Sequence, residues 1–380
     1  MIKYRLMTPG PTPVPEETLL AMARPIIHHR KREFEAVMEE VKGGLKELFM
    51  TKNDVLIIAS SGTGCMEGAV SNFLSKGDKA IVVRGGKFGE RWGEICEAYG
   101  VKTINVDVEW GRPVDPQVIA DILRREGDVR AVYTQASETS TCTAHPIREL
   151  GAIVKDYEDC ILVVDAITGI GVFPILTDEW GLDVVVAGSQ KALMLPPGLA
   201  FISISDKAWR QGDRADLPRY YFDLRKERKN LAKNTTAYTP AVSLVIGLQD
   251  TLAKIKAEGL ENLFARVDRL ARATRAALTA IGLELLAKES PSNACTGAFV
   301  PNGIDADKLI DTLSEKYNIT VAEGQGHLKG KIFRIAHMGY IDAFDVLATI
   351  SAIESTLSEM GHSVELGKGV RAAQEILWEK

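Results

Sequence analysis

Two textures of apolar residues alternate along most of this chain. Short, nearly continuous apolar runs at 55–59, 79–83, 101–106, 129–134, 160–164, 184–187 and 199–204 predict buried strands. Between most of them, segments such as 66–74, 91–99, 116–126 and 147–155 predict amphipathic helices, as do Phe34, Val37, Met38, Val41, Leu45 and Leu48 at three- and four-residue steps. Strand and helix in such regular alternation predict an α/β fold, with a mostly parallel seven-stranded sheet between helices.

After Pro240 the texture changes to a long helical stretch, 241–281, interrupted near Gly259. We place the boundary there between a large domain, 16–255, and a smaller C-terminal α/β domain, 256–380. In the latter, strands near 297–300, 319–321 and 332–335 and helices at 306–316 and 343–360 are predicted to form a mixed sheet with its cover. At the other end, Pro9, Pro11, Pro13 and Pro15 forbid helix, so residues 1–15 are expected to form an extended arm on the surface.

Composition narrows the function more than the fold. A chain of 380 residues, 46% hydrophobic and 26% charged, is an ordinary globular protein large enough for more than one core. A net charge of -5 offers no concentrated basic surface, so neither nucleic acid nor an anionic membrane is an expected partner. The basic stretch 225–233 is short, contains Glu227, and is expected to be a solvated surface segment. Five cysteines without close pairing indicate neither a disulfide framework nor a zinc site and suit a reducing cytoplasm. No apolar run is long enough to span a bilayer, and residues 1–7 lack the core of a signal peptide. His28 and His29 are adjacent, so their rings are expected to diverge; no metal is expected.

Open α/β sheets bind ligands beyond the carboxyl ends of their strands. Four positions there stand out. Ser60-Ser61-Gly62-Thr63-Gly64-Cys65 joins a strand to a helix and could present backbone N–H groups to an anion, or be only a capping turn. Asp165 closes a buried apolar run and needs a partner, either a pyridinium N–H, a helix start or an ion pair. Lys191 lies between a buried strand and Pro196-Pro197-Gly198, a setting that favours an amine of lowered pKa able to form an imine, against the alternative of a surface lysine. Arg334, on an apolar strand of the small domain, could grip a carboxylate in bidentate fashion or form a structural ion pair.

Val164-Asp165-Ala166, followed by Gly188-Ser189-Gln190-Lys191-Ala192 and Pro196-Pro197-Gly198, resembles the class V, fold type I, pyridoxal 5′-phosphate aminotransferases, in the alanine–glyoxylate and serine–pyruvate branch. The resemblance extends over nearly the whole chain. It implies that Lys191 holds the cofactor as a Schiff base and shuttles protons, and that Asp165 holds the pyridinium nitrogen. Thr63, Gly64, Cys65 and Gln190 would bind the phosphate. Phe88 and Ile167 would face opposite sides of the cofactor ring, Thr139 would lie beside it, and Arg334 would bind the substrate carboxylate. Gly10 would lie near the substrate entrance. Thr236, Tyr238 and Thr239, before Pro240, would complete the phosphate site of a second subunit, which implies a homodimer. Cys142 stands where many relatives have glycine, and Thr235 falls near a position often held by tyrosine.

The implied activity is ping-pong transamination, with alanine or serine as donor and glyoxylate or pyruvate as acceptor. Alternatives on the same fold are an aspartate, phosphoserine or aminophosphonate transaminase, a cysteine desulfurase-like lyase using Cys295, and a non-catalytic subunit of a soluble hydrogenase. A reactive thiol of lowered pKa is also conceivable at Cys65, at a helix start.

Overall fold

The computed structural model describes residues 3–379. Its main sheet contains β1 (Val55–Ile58), β2 (Lys79–Arg84), β3 (Lys102–Asp107), β4 (Val129–Gln135), β5 (Ile161–Asp165), β6 (Val184–Gly188) and β7 (Ala200–Ile204). They lie in the order β1-β7-β6-β5-β4-β2-β3. Only β7 runs against its neighbours, so β1 points the same way as the parallel strands. Every residue of β1, β5, β6 and β7 is buried. That two-sided burial is why these runs are continuously apolar and rich in Val and Ile. The expected seven-stranded, mostly parallel α/β fold is the observed one.

Helices follow β1 and β2 directly, at Gly62–Phe73 and Lys87–Ala98. The first starts earlier than the sequence pattern predicts, because its first turn is Gly62-Thr63-Gly64-Cys65, which carries no amphipathic signal. The predicted long helical stretch is two helices, Val242–Glu258 and Leu260–Ala280, broken at Gly259 with φ 81°. In the smaller C-terminal α/β domain, β8 (Cys295–Phe299), β9 (Ala322–Glu323) and β10 (Ile332–Ala336) form an antiparallel sheet in the order β8-β10-β9. One apolar cluster surrounds the main sheet; a second joins the small sheet to Leu270, Leu309, Ile350 and Leu377 on its helices.

The N-terminal arm departs from expectation. Arg5–Leu6 pairs in parallel with Ile319–Thr320, so the run predicted at 319–321 serves the arm rather than the small sheet. Met7 accepts from the amide of Ala336 at 2.8 Å, and Thr12 donates from its own amide to Gln190 and from its hydroxyl to Lys191. Met7 and Thr12 are buried. The prolines do keep the arm extended, but the amides of Arg5, Met7 and Thr12 and the carbonyl of Met7 find backbone partners, which draws Met7 and Thr12 off the surface.

The segment 225–233 is also more than a solvated run. In the helix Leu224–Leu231 the basic side chains face outward, whereas Leu224, Glu227 and Leu231 are buried. Glu227 accepts from the amide of Ala237 at 3.0 Å, and burial pushes its carboxyl up to about 7. His28 and His29 differ too: their rings stack 5.0 Å apart, only 14° from parallel, instead of diverging.

Candidate active site

The carboxyl ends of β1, β2, β4, β5 and β6 deliver the candidate residues to one edge of the sheet. β6 ends at Gly188, and Lys191 follows in a turn held by Ser189, whose hydroxyl donates to the carbonyl of Pro196 at 2.7 Å. Lys191 Nζ donates to the carbonyl of Pro9 at 2.7 Å. Burial lowers its pKa to about 8, with Asp165 opposing that shift and Arg334 and Arg91 adding to it. An amine so placed is partly neutral near physiological pH, which imine chemistry requires.

Gly10 faces this amine. A Cβ there would lie 1.9 Å from Lys191 Nζ, and its φ of 142° suits glycine alone.

Asp165 ends β5 and is buried. Its Oδ1 accepts from the amide of Ile167 at 2.9 Å. Burial pushes its carboxyl up to about 7 despite that bond, because the charges of Arg91 and Lys191 only partly compensate. Such a carboxylate has capacity for one more strong donor.

After β1, the helix Gly62–Phe73 begins without any side-chain cap. Its first-turn amides and dipole therefore favour an anion. Ile167 lies over this start: a Cβ at Gly62 would be 2.3 Å from Ile167 Cδ1, and one at Gly188 would be 3.6 Å from its Cγ2. Gln190 adjoins Gly188, and its Oε1 is buried without a hydrogen-bond partner. The Cys65 thiol is buried and its pKa is pushed up by desolvation, which removes the reactive-thiol alternative at that position.

β2 leads into Gly85-Gly86-Lys87-Phe88. Arg91 lies one helical turn beyond Phe88, 4.9 Å over its ring, and donates to the Thr63 hydroxyl at 3.2 Å. Past β4, the chain turns through Ser137–Glu138 and Thr143–Ala144, paired as a short hairpin. Here Glu138, wholly buried, accepts from the amides of Phe88, Gly89 and Ser140 and from the Ser140 hydroxyl. The Thr139 hydroxyl bonds that of Thr168 at 2.7 Å, and its carbonyl accepts from Arg334 Nη1 at 2.8 Å. The other edge of the Arg334 fork donates to the carbonyl of Glu323. These two carbonyls replace the carboxylate partner that a structural ion pair would have supplied.

The structure thus gathers Lys191, Asp165, Ile167, Gln190, Thr63, Gly64, Cys65, Phe88, Thr139, Gly10 and Arg334 at one end of the sheet. Thr236, Tyr238 and Thr239 lie beside Ala59, Leu199 and Tyr221, where the Tyr238 hydroxyl donates to the carbonyl of Tyr220 and its ring stacks 5.1 Å from Tyr221. Cys295 sits buried within β8, not on a mobile loop. Arg91, Glu138, Thr12 and Thr168 were not found by sequence reasoning. Only Arg91 had a local signal, its three-residue spacing from Phe88 on one helix face.

A family model, described as Aminotransferase class-V, matches residues 9–338. The chain belongs to the class V aminotransferases. It is 45% identical to a protein of Synechococcus sp. named soluble hydrogenase, small subunit, over 99% of this chain and 98% of that one. It is 37% identical to the L-aspartate–glyoxylate aminotransferase of Paracoccus denitrificans, over 97% and 95%. The crystal structure of ureidoglycine–glyoxylate aminotransferase from Bacillus subtilis superposes with a TM-score of 0.94 at 29% identity, covering 99% of this chain and 98% of that one. As a class V aminotransferase the protein uses pyridoxal 5′-phosphate. Its site fits that cofactor: an uncapped helix start for the phosphate and a buried Asp165 short of one donor.

Proposed function

We propose that this aminotransferase moves an amino group from alanine or serine to glyoxylate or pyruvate, with Lys191 as its catalytic residue. The observation that carries the assignment is the placement of the Lys191 amine just past the end of β6, held by the Pro9 carbonyl against Gly10 and within electrostatic reach of Asp165 and Arg334, where burial lowers its pKa. Lys191 would hold pyridoxal phosphate, which would supply an electron sink for the substrate Cα. Asp165 keeps the ring nitrogen protonated, and Thr63, Gly64, Cys65 and Gln190 hold the phosphate. Phe88 and Ile167 would orient the ring. Arg334 fixes the substrate carboxylate, its guanidinium already oriented by Thr139 and Glu323. Lys191 removes the proton from the substrate Cα. Donor and acceptor bind in turn, so the kinetics are ping-pong.

Glyoxylate appears in the names of both the Paracoccus and the Bacillus relatives, which supports it as the acceptor. Their donors differ, and the Paracoccus name favours aspartate as a second reading for the donor. The hydrogenase name of the Synechococcus relative carries no chemistry for Lys191, Asp165 and Arg334, whose joint presence supports catalysis. We further propose a cytoplasmic homodimer in which Thr236, Tyr238 and Thr239 approach the phosphate of the neighbouring subunit. The division of the chain into residues 1–15, 16–255 and 256–380 remains part of the same proposal.

The test is the absorbance of the holoenzyme as alanine, serine and aspartate are added in turn. A true donor shifts the cofactor band to shorter wavelength, and glyoxylate restores it. A Lys191→Ala protein that still acquires a borohydride-stable cofactor would overturn the assignment of Lys191.

A further inference from the structure

Cys142 and Cys295 are 153 positions apart in the chain, yet their sulfurs approach to 3.3 Å. Each is also 3.8 Å from the carbonyl oxygen of Thr139, the oxygen that accepts from Arg334. Cys142 adopts a left-handed backbone, φ 57°, where a side chain is strained and glycine is at ease. It belongs to the hairpin that follows β4, whereas Cys295 opens β8 of the small sheet. The two sulfurs therefore face each other across the junction of the two domains. A cavity of about 10 Å³ adjoins both, with Leu285, Ala287 and Pro291 among its walls. That is room for one molecule the size of water.

We propose that Cys142 and Cys295 are a redox-active dithiol, which hydrogen peroxide oxidises to a disulfide joining the two domains behind Arg334. In the first step the Cys295 thiolate attacks hydrogen peroxide, the O–O bond breaks, an S–O bond forms, and the hydroxide expelled takes up the proton that Cys295 gave up on ionising and leaves as water. Cys142 then attacks the Cys295 sulfur: the S–S bond forms, the S–O bond breaks, and the oxygen departs as water with the Cys142 proton. Two electrons pass from the sulfurs to the peroxide. Cys295 is the better first nucleophile, because the neighbouring thiol, Arg334 and Lys191 favour its thiolate, while burial pushes Cys142 well up.

Bonding draws the sulfurs from 3.3 Å to about 2.05 Å. It also moves both sulfurs, each 3.8 Å from the Thr139 carbonyl oxygen, and removes their protons, so the surroundings of the oxygen that orients Arg334 change. The kinetic consequence rests on Arg334 binding the substrate carboxylate; the disulfide itself does not.

The experiment treats holoenzyme with hydrogen peroxide, maps peptides under non-reducing conditions, and measures KM and kcat before and after dithiothreitol. Wild type is expected to yield a Cys142–Cys295 linked peptide, to lose two titratable thiols, and to show a several-fold rise in KM that dithiothreitol reverses. Cys142→Gly, which relieves the strained backbone, and Cys295→Ser should show neither the link nor the rise. Absence of the linked peptide, or an equal response from Cys142→Gly, overturns the dithiol. A linked peptide with unchanged KM overturns its coupling to Arg334.

Discussion

Lys191 reaches across to the N-terminal arm and donates to the carbonyl oxygen of Pro9 at 2.7 Å. The contact is possible because the next residue is Gly10, whose missing Cβ would otherwise overlap the amine. Gly10→Ala should therefore do two things. The φ of 142° becomes strained, costing about 1–3 kcal/mol of stability. The amine is also pushed from its position, so cofactor capture falls by more than that loss of stability explains. Urea unfolding of the apoprotein measures the first effect, and borohydride trapping of bound cofactor the second. Full trapping with normal kinetics would show that the arm does not set the position of Lys191.

Glu138 places its carboxylate under four donors, two of them the amides of Phe88 and Gly89 at the start of a helix. Glu138→Gln turns one acceptor into a donor that faces those donors. A buried mismatch of that kind costs about 1–3 kcal/mol. Because Phe88 loses its anchor, induced circular dichroism of the bound cofactor should weaken as well. Unchanged dichroism in a destabilised protein would confine Glu138 to a structural role.

Both of these positions test contacts that the sequence did not disclose, whereas Asp165 and Lys191 were legible in it. They stand where buried apolar strands stop, and a charged residue at such an edge is conspicuous without tertiary knowledge. Arg334 stood out for a related reason, as a charged residue in the middle of an apolar strand. Glu138 was hidden because its partners at 88 and 89 lie on a different strand–helix connection. The arm was misplaced on the surface because its prolines reveal conformation, not which carbonyls pair with Gln190 or Ala336. Glu227 was read with its basic neighbours, although a helix turns one residue in that run inward. The Cys142–Cys295 contact depends on how two domains meet, and no local pattern encodes it.

Asp165 also makes a prediction about pH. Its folded pKa is raised from 3.8 to about 7, chiefly by burial. Between those values the folded apoprotein holds a proton that the unfolded chain has lost, so stability falls as pH rises through that window. At roughly 1.4 kcal/mol per unit the loss approaches ~4 kcal/mol. Asp165→Asn cannot titrate, so apoprotein urea midpoints for wild type should fall relative to the variant from about pH 4 to pH 7 and run parallel to it above that. Pyridoxal phosphate should abolish the difference in slope by giving the carboxylate a protonated partner. Parallel curves for the two apoproteins throughout would mean that Asp165 is already ionised without the cofactor.

Lys191 titrates in the opposite sense, and the rate of cofactor capture reports it. Burial lowers its pKa from 10.5 to about 8. Only the neutral amine attacks the aldehyde, and at pH 7 about a tenth of the side chains are neutral, rising to about half at pH 8. An unperturbed lysine would be neutral in fewer than about one molecule in a thousand at pH 7. The initial rate at which apoprotein forms a borohydride-reducible bond with pyridoxal phosphate should therefore climb through neutral pH and level off just above pH 8. Arg334 and Arg91 contribute to the lowering, so removing either charge should move the midpoint upward. A rate that keeps rising toward pH 10 would instead assign the capture to an ordinary exposed amine.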